Sequence, residues 1–310
     1  HRFKSCSAHK GFLEIYSKNY NLHALCTHFY NHYVSEVKYS GKGQVDRLVK
    51  QHEKAGGVEG IFGKLAKDHD ISSFDVTKLI FEQLSNKYTN LDFQIINSLS
   101  KQDINKKLNS INSEFGTTLF VDNSSIRPDG GILEVKDTNG NWRVILTIES
   151  KHQGNDIEKI KAGVKQGKNK DQDLMMAGNA IERVHKNILE MKNFMIDEPH
   201  FPYVVFYQGT NFATETFYVE SPDGRKVKIG HDVGSLNRID RTTASNFSSK
   251  INEIYVKNKY FEVNNLSVMF QIPTFFYKAT PWGIDEMFAI CFEVAERSLD
   301  LLKLDLDINL

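Results

Sequence analysis

The sequence gives a chain of 310 residues with 40% apolar content, enough to bury one sizeable hydrophobic core. Lys and Arg together number 39, as do Asp and Glu, which excludes a protein-wide positive field; any nucleic-acid binding must depend on a local basic surface. The three cysteines form no disulfide framework, and no segment indicates a transmembrane helix or a signal peptide. We therefore expect a soluble cytoplasmic protein that does not contact membranes.

Residues 1–39 are rich in aromatic, Cys and His side chains and are predicted to be an extension outside the main domain, which spans residues 40–310. Several side chains are of types that bind zinc, but their spacing matches no zinc-finger pattern: Cys6, His9, Cys26, His28 and His32. Residues 41–57 are polar and basic, which is typical of a disordered leader.

Residues 60–87 are predicted to be helical. Their apolar side chains recur at helical spacing, first at Ile61 and Leu65 and again from Val76 onward. The polar pair His69-Asp70 between these groups indicates a turn. We therefore expect two scaffold helices without a chemical role.

The next informative stretch is a polar turn that contains Pro128-Asp129-Gly130-Gly131. It leads into an apolar run, a second turn at Asn139-Gly140, and another apolar run that ends in Glu149. Asn-Gly between β-rich segments is the strongest short-range signal for a hairpin. We therefore predict a two-stranded hairpin with Asp129, Glu149 and Lys151 together at its open end.

The register of this hairpin determines whether the three side chains meet. Glu149 and Lys151 are two apart, so on a strand they point to the same face. A two-residue turn would place Asp129 opposite Ser150, on the wrong face, whereas a turn of three or five residues or a β-bulge would place it opposite Lys151. We therefore predict a bulge or an odd-length turn.

Two carboxylates beside an ammonium form a site suited to phosphodiester hydrolysis. Mg²⁺ typically binds one or two carboxylates together with waters and substrate phosphate, so Asp129 and Glu149 would hold it with help from the Ser150 carbonyl. The metal lowers the pKa of a bound water, and Lys151 can act on that water or stabilise charge in the transition state. This is the arrangement of PD-(D/E)xK nucleases. For the short motif alone, the alternative is a hairpin with a surface Glu/Lys pair.

The segment after Lys151 is basic and compatible with a helix, and we predict that it contacts phosphates, although a solvated surface would carry the same charges. Its lysines are Lys159, Lys161, Lys165, Lys168 and Lys170. A second helix is predicted to run to about Ile196, with one apolar face marked by Ile181, Val184, Ile188, Met191 and Met195. Asn179 and Glu182 at its start resemble a capping box, which requires no DNA.

Three later elements are structural predictions. Residues 203–207 form an apolar run typical of a buried strand. Pro222-Asp223-Gly224-Arg225 repeats the Pro-Asp-Gly signature without a following Glu-x-Lys, which indicates a type I turn. Residues 284–302 are predicted to be an amphipathic C-terminal helix in which Cys291 is a buried structural thiol.

From about Ser40 to the C-terminus the chain resembles the EcoRI family of type II restriction endonucleases. The stretches that carry the resemblance are residues 60–63, 118–121, 123–131, 149–154, 171–183, 200–203 and 237–241. It implies an α/β fold of the PD-(D/E)xK type, with a central mixed five-stranded sheet flanked by helices. It also implies a homodimeric, Mg²⁺-dependent endonuclease that cleaves double-stranded DNA at a palindrome with an AATT core, GAATTC in this family.

The resemblance also implies DNA contacts. A segment that runs through the major groove into a helix start would read bases with Met175, Met176, Ala177, Gly178, Asn179, Glu182 and Arg183. The other positions that match DNA contacts are Asn123, Arg127, Gln153, His185, Lys186, Arg238 and Arg241. For Arg238 and Arg241, the alternative is a structural role in which they form ion pairs with Asp240 at the start of a helix. Met176 stands where the family has a small alanine beside the outer pyrimidine, so the sequence does not determine the identity of the outer base pair.

The implied partners follow from this activity. A palindrome cut on both strands requires two-fold symmetry in the protein, hence a homodimer. A bacterial restriction enzyme also implies a companion DNA methyltransferase, without a stable complex. Two alternatives are a structure-specific PD-(D/E)xK repair nuclease, which would yield no discrete fragments, and a catalytically silent DNA-binding protein, which has no need for Asp129, Glu149 and Lys151 together.

Overall fold

A computed structural model describes residues 58–116, 124–163, 178–229, 242–243, 246 and 249–307, with side chains from residue 68 in the first helix and from residue 181 in the helix at Gly178. The chain divides into a unit of residues 1–61 and a unit of residues 62–310. The predictions for residues 1–39 and 41–57 lie outside the described residues. The fold is that of the second unit.

The second unit contains both helices and strands. In chain order they are α1 (Val58–Lys87), β1 (Phe93–Ile96), β2 (Leu99–Ser100), α2 (Lys101–Ile111), β3 (Ser125–Ile126), β4 (Ile132–Lys136), β5 (Trp142–His152), α3 (Asp156–Lys161), α4 (Gly178–Phe194), β6 (Tyr203–Gln208), β7 (Phe217–Glu220), β8 (Lys226–Ile229), β9 (Lys259–Val263), β10 (Leu266–Phe270), β11 (Thr274–Lys278) and α5 (Ile284–Leu306). A short 3₁₀ turn, Thr210–Phe212, follows β6.

The central sheet has five strands in the order β1-β4-β5-β6-β11. β4 pairs antiparallel with β1 and β5, whereas β6 pairs parallel with β5 and β11. The predicted α/β fold with a central mixed five-stranded sheet is therefore confirmed. Among the described residues, three two-stranded pairs accompany it: β2 with β3, β7 with β8, and β9 with β10.

β6 is the predicted buried strand, and its burial on both faces explains its continuous apolar sequence. Val204 and Phe206 belong to a core that includes residues of α1 and α5. Tyr203, Val205 and Tyr207 belong to a second core that includes residues of α4. The sheet thus separates two hydrophobic cores, and helices cover each of them.

The turn predicted at His69-Asp70 is wrong, because α1 continues without interruption from Val58 to Lys87. The polar residues there have partners that a sequence pattern cannot show. His69 is buried, with its Nε2 atom 3.4 Å from the Phe206 carbonyl oxygen, and Ser73 Oγ donates to the His69 carbonyl. Polar side chains in this part of the helix therefore mark contacts with the sheet.

The other structural predictions agree closely with the fold. α4 ends at Phe194, near the predicted end, and α5 extends to Leu306 with Cys291 fully buried. The predicted turn after Ser221 closes between β7 and β8, where Gly224 adopts a φ of +79°. Among the residues that the structure describes, no helix is both long and apolar enough to span a membrane.

Burial of His69 predicts an acid-dependent loss of stability. Burial lowers the pKa of His69 from 6.5 to about 4, so the folded state holds this ring neutral while the unfolded chain protonates it. The free energy of unfolding should therefore fall as the pH drops from 6.5 toward 4, by about 3 kcal/mol from this group, because each pKa unit is worth about 1.4 kcal/mol.

Urea unfolding at several pH values, with His69→Gln as the matched variant, isolates this contribution. The glutamine can still donate to the Phe206 carbonyl but does not titrate. The difference between the two unfolding free energies should change across this pH window and stay constant above pH 7. Parallel curves for the two proteins would contradict the assignment.

Candidate active site

Asp129 lies in a tight turn just before β4. Gly131 N donates to the Pro128 carbonyl at 2.9 Å, and Gly131 has a φ of +77°, a conformation that favours glycine. Gly130 N donates to the Ile148 carbonyl, and a Cβ atom at Gly130 would lie 2.6 Å from Ile148 Cβ. The two glycines therefore allow the turn to close directly against β5.

The hairpin contains both an odd-length turn and a β-bulge, the two irregularities that the sequence offered, but they do not pair Asp129 with Lys151. Residues 137–141 connect the strands, and the register shifts between Leu133 and Glu134, so β5 carries a bulge. Beyond the bulge, Ile132 lies opposite Thr147, where the strand pairing ends, so Asp129 lies before β4 and is not paired with a residue of β5. The predicted pairing with Lys151 is therefore wrong. Because Asp129 lies in a turn, strand alternation does not determine the direction of its side chain.

Asp129, Glu149 and Lys151 nevertheless meet. Lys151 Nζ contacts Asp129 Oδ2, Glu149 Oε1 at 2.6 Å and the Ser150 carbonyl oxygen at 2.9 Å. Ser150 N also donates to Asp129 Oδ2 at 3.1 Å. The three oxygens that the sequence suggested as metal ligands thus surround one cationic group.

Glu149 is held by two residues that sequence reasoning missed. Its Oε2 atom accepts hydrogen bonds from Asn187 Nδ2 and Tyr203 OH, both at 3.2 Å, and the residue is 1% exposed. A tyrosine in a fully buried strand requires a partner for its hydroxyl, which is the one sequence signal that pointed to this contact. Nothing local pointed to Asn187, which lies on α4.

Burial and neighbouring charges shift the pKa values of Glu149, Lys151 and Asp70. Burial raises the pKa of the Glu149 carboxyl, and the Lys151 ammonium opposes that change. Burial lowers the pKa of Lys151, but the Glu149 and Asp129 carboxylates outweigh it, so the pKa of Lys151 stands above its ordinary value. Asp70, on α1, is a further acidic group near the site: burial and then the Asp129 charge raise its pKa to about 7.

The donor set fits a divalent metal of the Mg²⁺ type. Within the described ranges, no three His, Cys, Asp or Glu side chains are grouped to hold a metal ion, so a cage made only of side chains is absent there. Mg²⁺ needs only one or two carboxylates because it keeps several waters and binds substrate phosphate. Asp129, Glu149 and the Ser150 carbonyl already converge on the Lys151 ammonium, so their oxygens can face one cation.

A series of hydrogen bonds holds His152 at the end of β5, and the donor and acceptor of each bond can be assigned. Trp282 N donates to Gln208 Oε1 at 2.9 Å, so Gln208 Nε2 faces His152 Nδ1 at 3.0 Å and donates to it. His152 Nε2 must then carry the proton that it donates to Asn155 Oδ1 at 2.5 Å. This arrangement fixes the segment that contains Gln153, immediately after the three candidate catalytic residues.

The candidate DNA contacts are only partly described. On α4, Glu182, Arg183 and Lys186 are exposed and His185 is half-buried, while Ile181, Val184 and Ile188 pack inward as predicted. α4 begins at Gly178, so Asn179 lies inside the helix and not at the N-cap of the capping-box interpretation.

Arg127 is exposed beside the Asp129 turn, and Gln153 is half-buried. Lys159 and Lys161 of the basic run lie on α3. Gly178 is the first residue of α4, and the side chain of Asn179 is not described. The remaining candidates lie outside the described residues: Asn123, Lys165, Lys168, Lys170, Met175, Met176, Ala177, Arg238 and Arg241.

Comparison with known proteins gives long matches. Residues 55–309 match the family model described as restriction endonuclease EcoRI. The chain is 56% identical over 274 residues to the type II restriction enzyme RsrI of Cereibacter sphaeroides, covering 88% of this chain and 99% of that enzyme. It is 48% identical over 269 residues to the type II restriction enzyme EcoRI of Escherichia coli, covering 86% of this chain and 97% of that enzyme.

Proposed function

The chain belongs to the EcoRI family of type II restriction endonucleases, and we propose that it cleaves both strands of DNA at GAATTC by Mg²⁺-dependent hydrolysis. As a member of this family it hydrolyses phosphodiester bonds of double-stranded DNA with a divalent metal. The metal identity, the recognised sequence and the roles of individual residues are our proposal. The observation that carries it is the convergence of Asp129, Glu149 and the Ser150 carbonyl on one cationic position.

In this mechanism, the carboxylates of Asp129 and Glu149 and the carbonyl oxygen of Ser150 would hold Mg²⁺. When bound, the metal lowers the pKa of a water and neutralises charge on the phosphate. Lys151 gives up its contacts with the two carboxylates and donates either to the attacking water or to a phosphate oxygen, where it stabilises the developing charge. Asn187 and Tyr203 keep Glu149 oriented through its other oxygen.

In this proposal, α4 and the segment before it recognise the DNA sequence. Asn179, Glu182 and Arg183 carry the side-chain types that pair with purine and amino-group edges in the major groove. Met175, Met176, Ala177 and Gly178 lie against the bases. Arg238 and Arg241 support recognition, and Asn123, Arg127, Gln153, His185 and Lys186 contact DNA beside them. The exposure of Glu182, Arg183 and Lys186 on one helix supports this assignment.

The assembly follows from the substrate. A two-fold palindrome matches a two-fold symmetric homodimer, so that each protomer cuts one strand. We propose that residues 40–310 form the catalytic and recognition domain and that residues 1–39 lie outside it. We also propose a cytoplasmic location in a bacterium and a companion DNA methyltransferase that protects the host sites without forming a stable complex.

Sequencing of fragment ends tests the proposal directly. The purified protein and its Asp129→Asn variant are incubated with a plasmid of known sequence and Mg²⁺. We expect uniform ends within GAATTC from the unmodified protein and intact plasmid from the variant, because the amide removes one metal-binding charge. If the ends lie at an AATT core with a different outer base pair, only the outer base pair of the proposed GAATTC site would be wrong. A smear, or intact plasmid with both proteins, would contradict the proposal.

A further inference from the structure

Two hydroxyl groups on α1 contact the two chain segments that carry the candidate carboxylates. Thr77 Oγ1 donates to the Gly130 carbonyl at 2.6 Å, next to Asp129. Ser73 Oγ lies 2.6 Å from Ser150 Oγ, between Glu149 and Lys151. Thr77 is 1% exposed and Ser73 and Ser150 are equally buried, so water does not compete for these contacts. Ser73 and Thr77 are four residues apart and share one helix face.

The Thr77 hydroxyl is committed to Gly130. It has one proton, and its other acceptor, the Ser73 carbonyl, is farther away at 3.3 Å. Gly130 N already donates to the Ile148 carbonyl at 2.9 Å. Both polar backbone groups of Gly130 are therefore fixed, one by β5 and the other by α1, and the adjoining Asp129 is fixed with them.

We propose that Thr77 is a positioning residue that sets the Asp129 carboxylate at its place beside Glu149 by holding the Gly130 carbonyl. The inference rests on the proposed function only in that the two carboxylates hold a divalent metal. Without the hydroxyl, the Gly130 carbonyl would be buried without a donor, which is unfavourable. A shift of the turn toward another donor relieves that cost and moves Asp129 away from the metal position.

The test compares three substitutions that differ in one feature each. Thr77→Val removes the hydroxyl and keeps the shape, and Thr77→Ser restores the hydroxyl. Thr147→Val is the matched control, because Thr147 is also 1% exposed, lies on β5 beside the site, and has a hydroxyl without a hydrogen-bond partner among the described residues. Binding of Mn²⁺ is followed by the electron paramagnetic resonance of the free ion, with Asp129→Asn as the background.

We expect Thr77→Val to weaken Mn²⁺ binding about tenfold, the size of one lost buried hydrogen bond. Thr77→Ser and Thr147→Val should bind Mn²⁺ like the unmodified protein. In cleavage assays the Mg²⁺ concentration for half-maximal rate should rise by the same factor for Thr77→Val, with DNA affinity in the absence of metal unchanged.

Three results would overturn the inference: unchanged Mn²⁺ affinity in Thr77→Val, an equal loss in Thr147→Val, or no recovery in Thr77→Ser. The first would show that Asp129 does not depend on Thr77, and the others would show a general packing effect. Failure of the proposed function has a different signature. In that case no protein cleaves DNA, while Mn²⁺ binding still depends on Asp129 and Thr77.

Discussion

Replacing Lys151 with methionine should lower the rate of DNA cleavage by about 100- to 1000-fold, the usual cost of losing one group that stabilises transition-state charge. The same substitution should leave the binding of Mn²⁺ intact or make it tighter. Lys151 Nζ is surrounded by Asp129 Oδ2, Glu149 Oε1 and the Ser150 carbonyl, the oxygens proposed to hold the metal. The ammonium and the metal therefore compete for the same ligands, and methionine removes the competitor while it keeps the length of the side chain.

Single-turnover cleavage at saturating Mg²⁺ and a Mn²⁺ titration separate the two effects. Lys226→Met, at an exposed position of β8, is the matched control and should behave like the unmodified protein in both. Weaker Mn²⁺ binding in Lys151→Met would show that the ammonium supports the site and does not compete with the metal. An unchanged cleavage rate would remove Lys151 from the mechanism.

The local parts of the site could be predicted from the sequence. Asn139-Gly140 and the apolar runs on either side predicted a hairpin, and strand alternation placed Glu149 and Lys151 on one face. These inferences succeed because hairpins depend on residues close in the chain. The predicted pairing of Asp129 was wrong because it extended strand alternation into a turn, where Gly131 with its positive φ redirects the backbone.

The parts that depend on distant residues could not be predicted. His69 and Asp70 suggested a helix break, yet His69 lies against the Phe206 carbonyl, far away in the sequence. Thr77 contacts Gly130 and Asn187 contacts Glu149 across separations of 53 and 38 residues. A polar residue in a sequence shows that a partner is needed, but only the packing of helices on the sheet determines which one.

Glu149 should lose function when the two hydrogen-bond donors to its Oε2 atom are removed. Asn187→Ala and Tyr203→Phe each remove one donor to Glu149 Oε2, and each should reduce cleavage about tenfold; the double variant should reduce it by about 100-fold. Hydrogen bonds to the charged form of a carboxyl lower its pKa. Their loss therefore raises the pKa of Glu149, which burial has already raised, and makes the ionised form scarcer at a given pH.

The pH profile distinguishes this orienting role from a general loss of packing. The acidic limb of the single-turnover rate should move to higher pH in each variant and farther in the double variant. Tyr277→Phe is the matched control, because Tyr277 is a buried tyrosine of β11 that stacks on Tyr207, and its profile should not move. Equal shifts in the control, or lower rates with an unmoved limb, would contradict the role. Because Asn187 shares α4 with Glu182 and Arg183, a shift in Asn187→Ala would also show that the helix proposed to read DNA adjusts a carboxylate proposed to hold the metal.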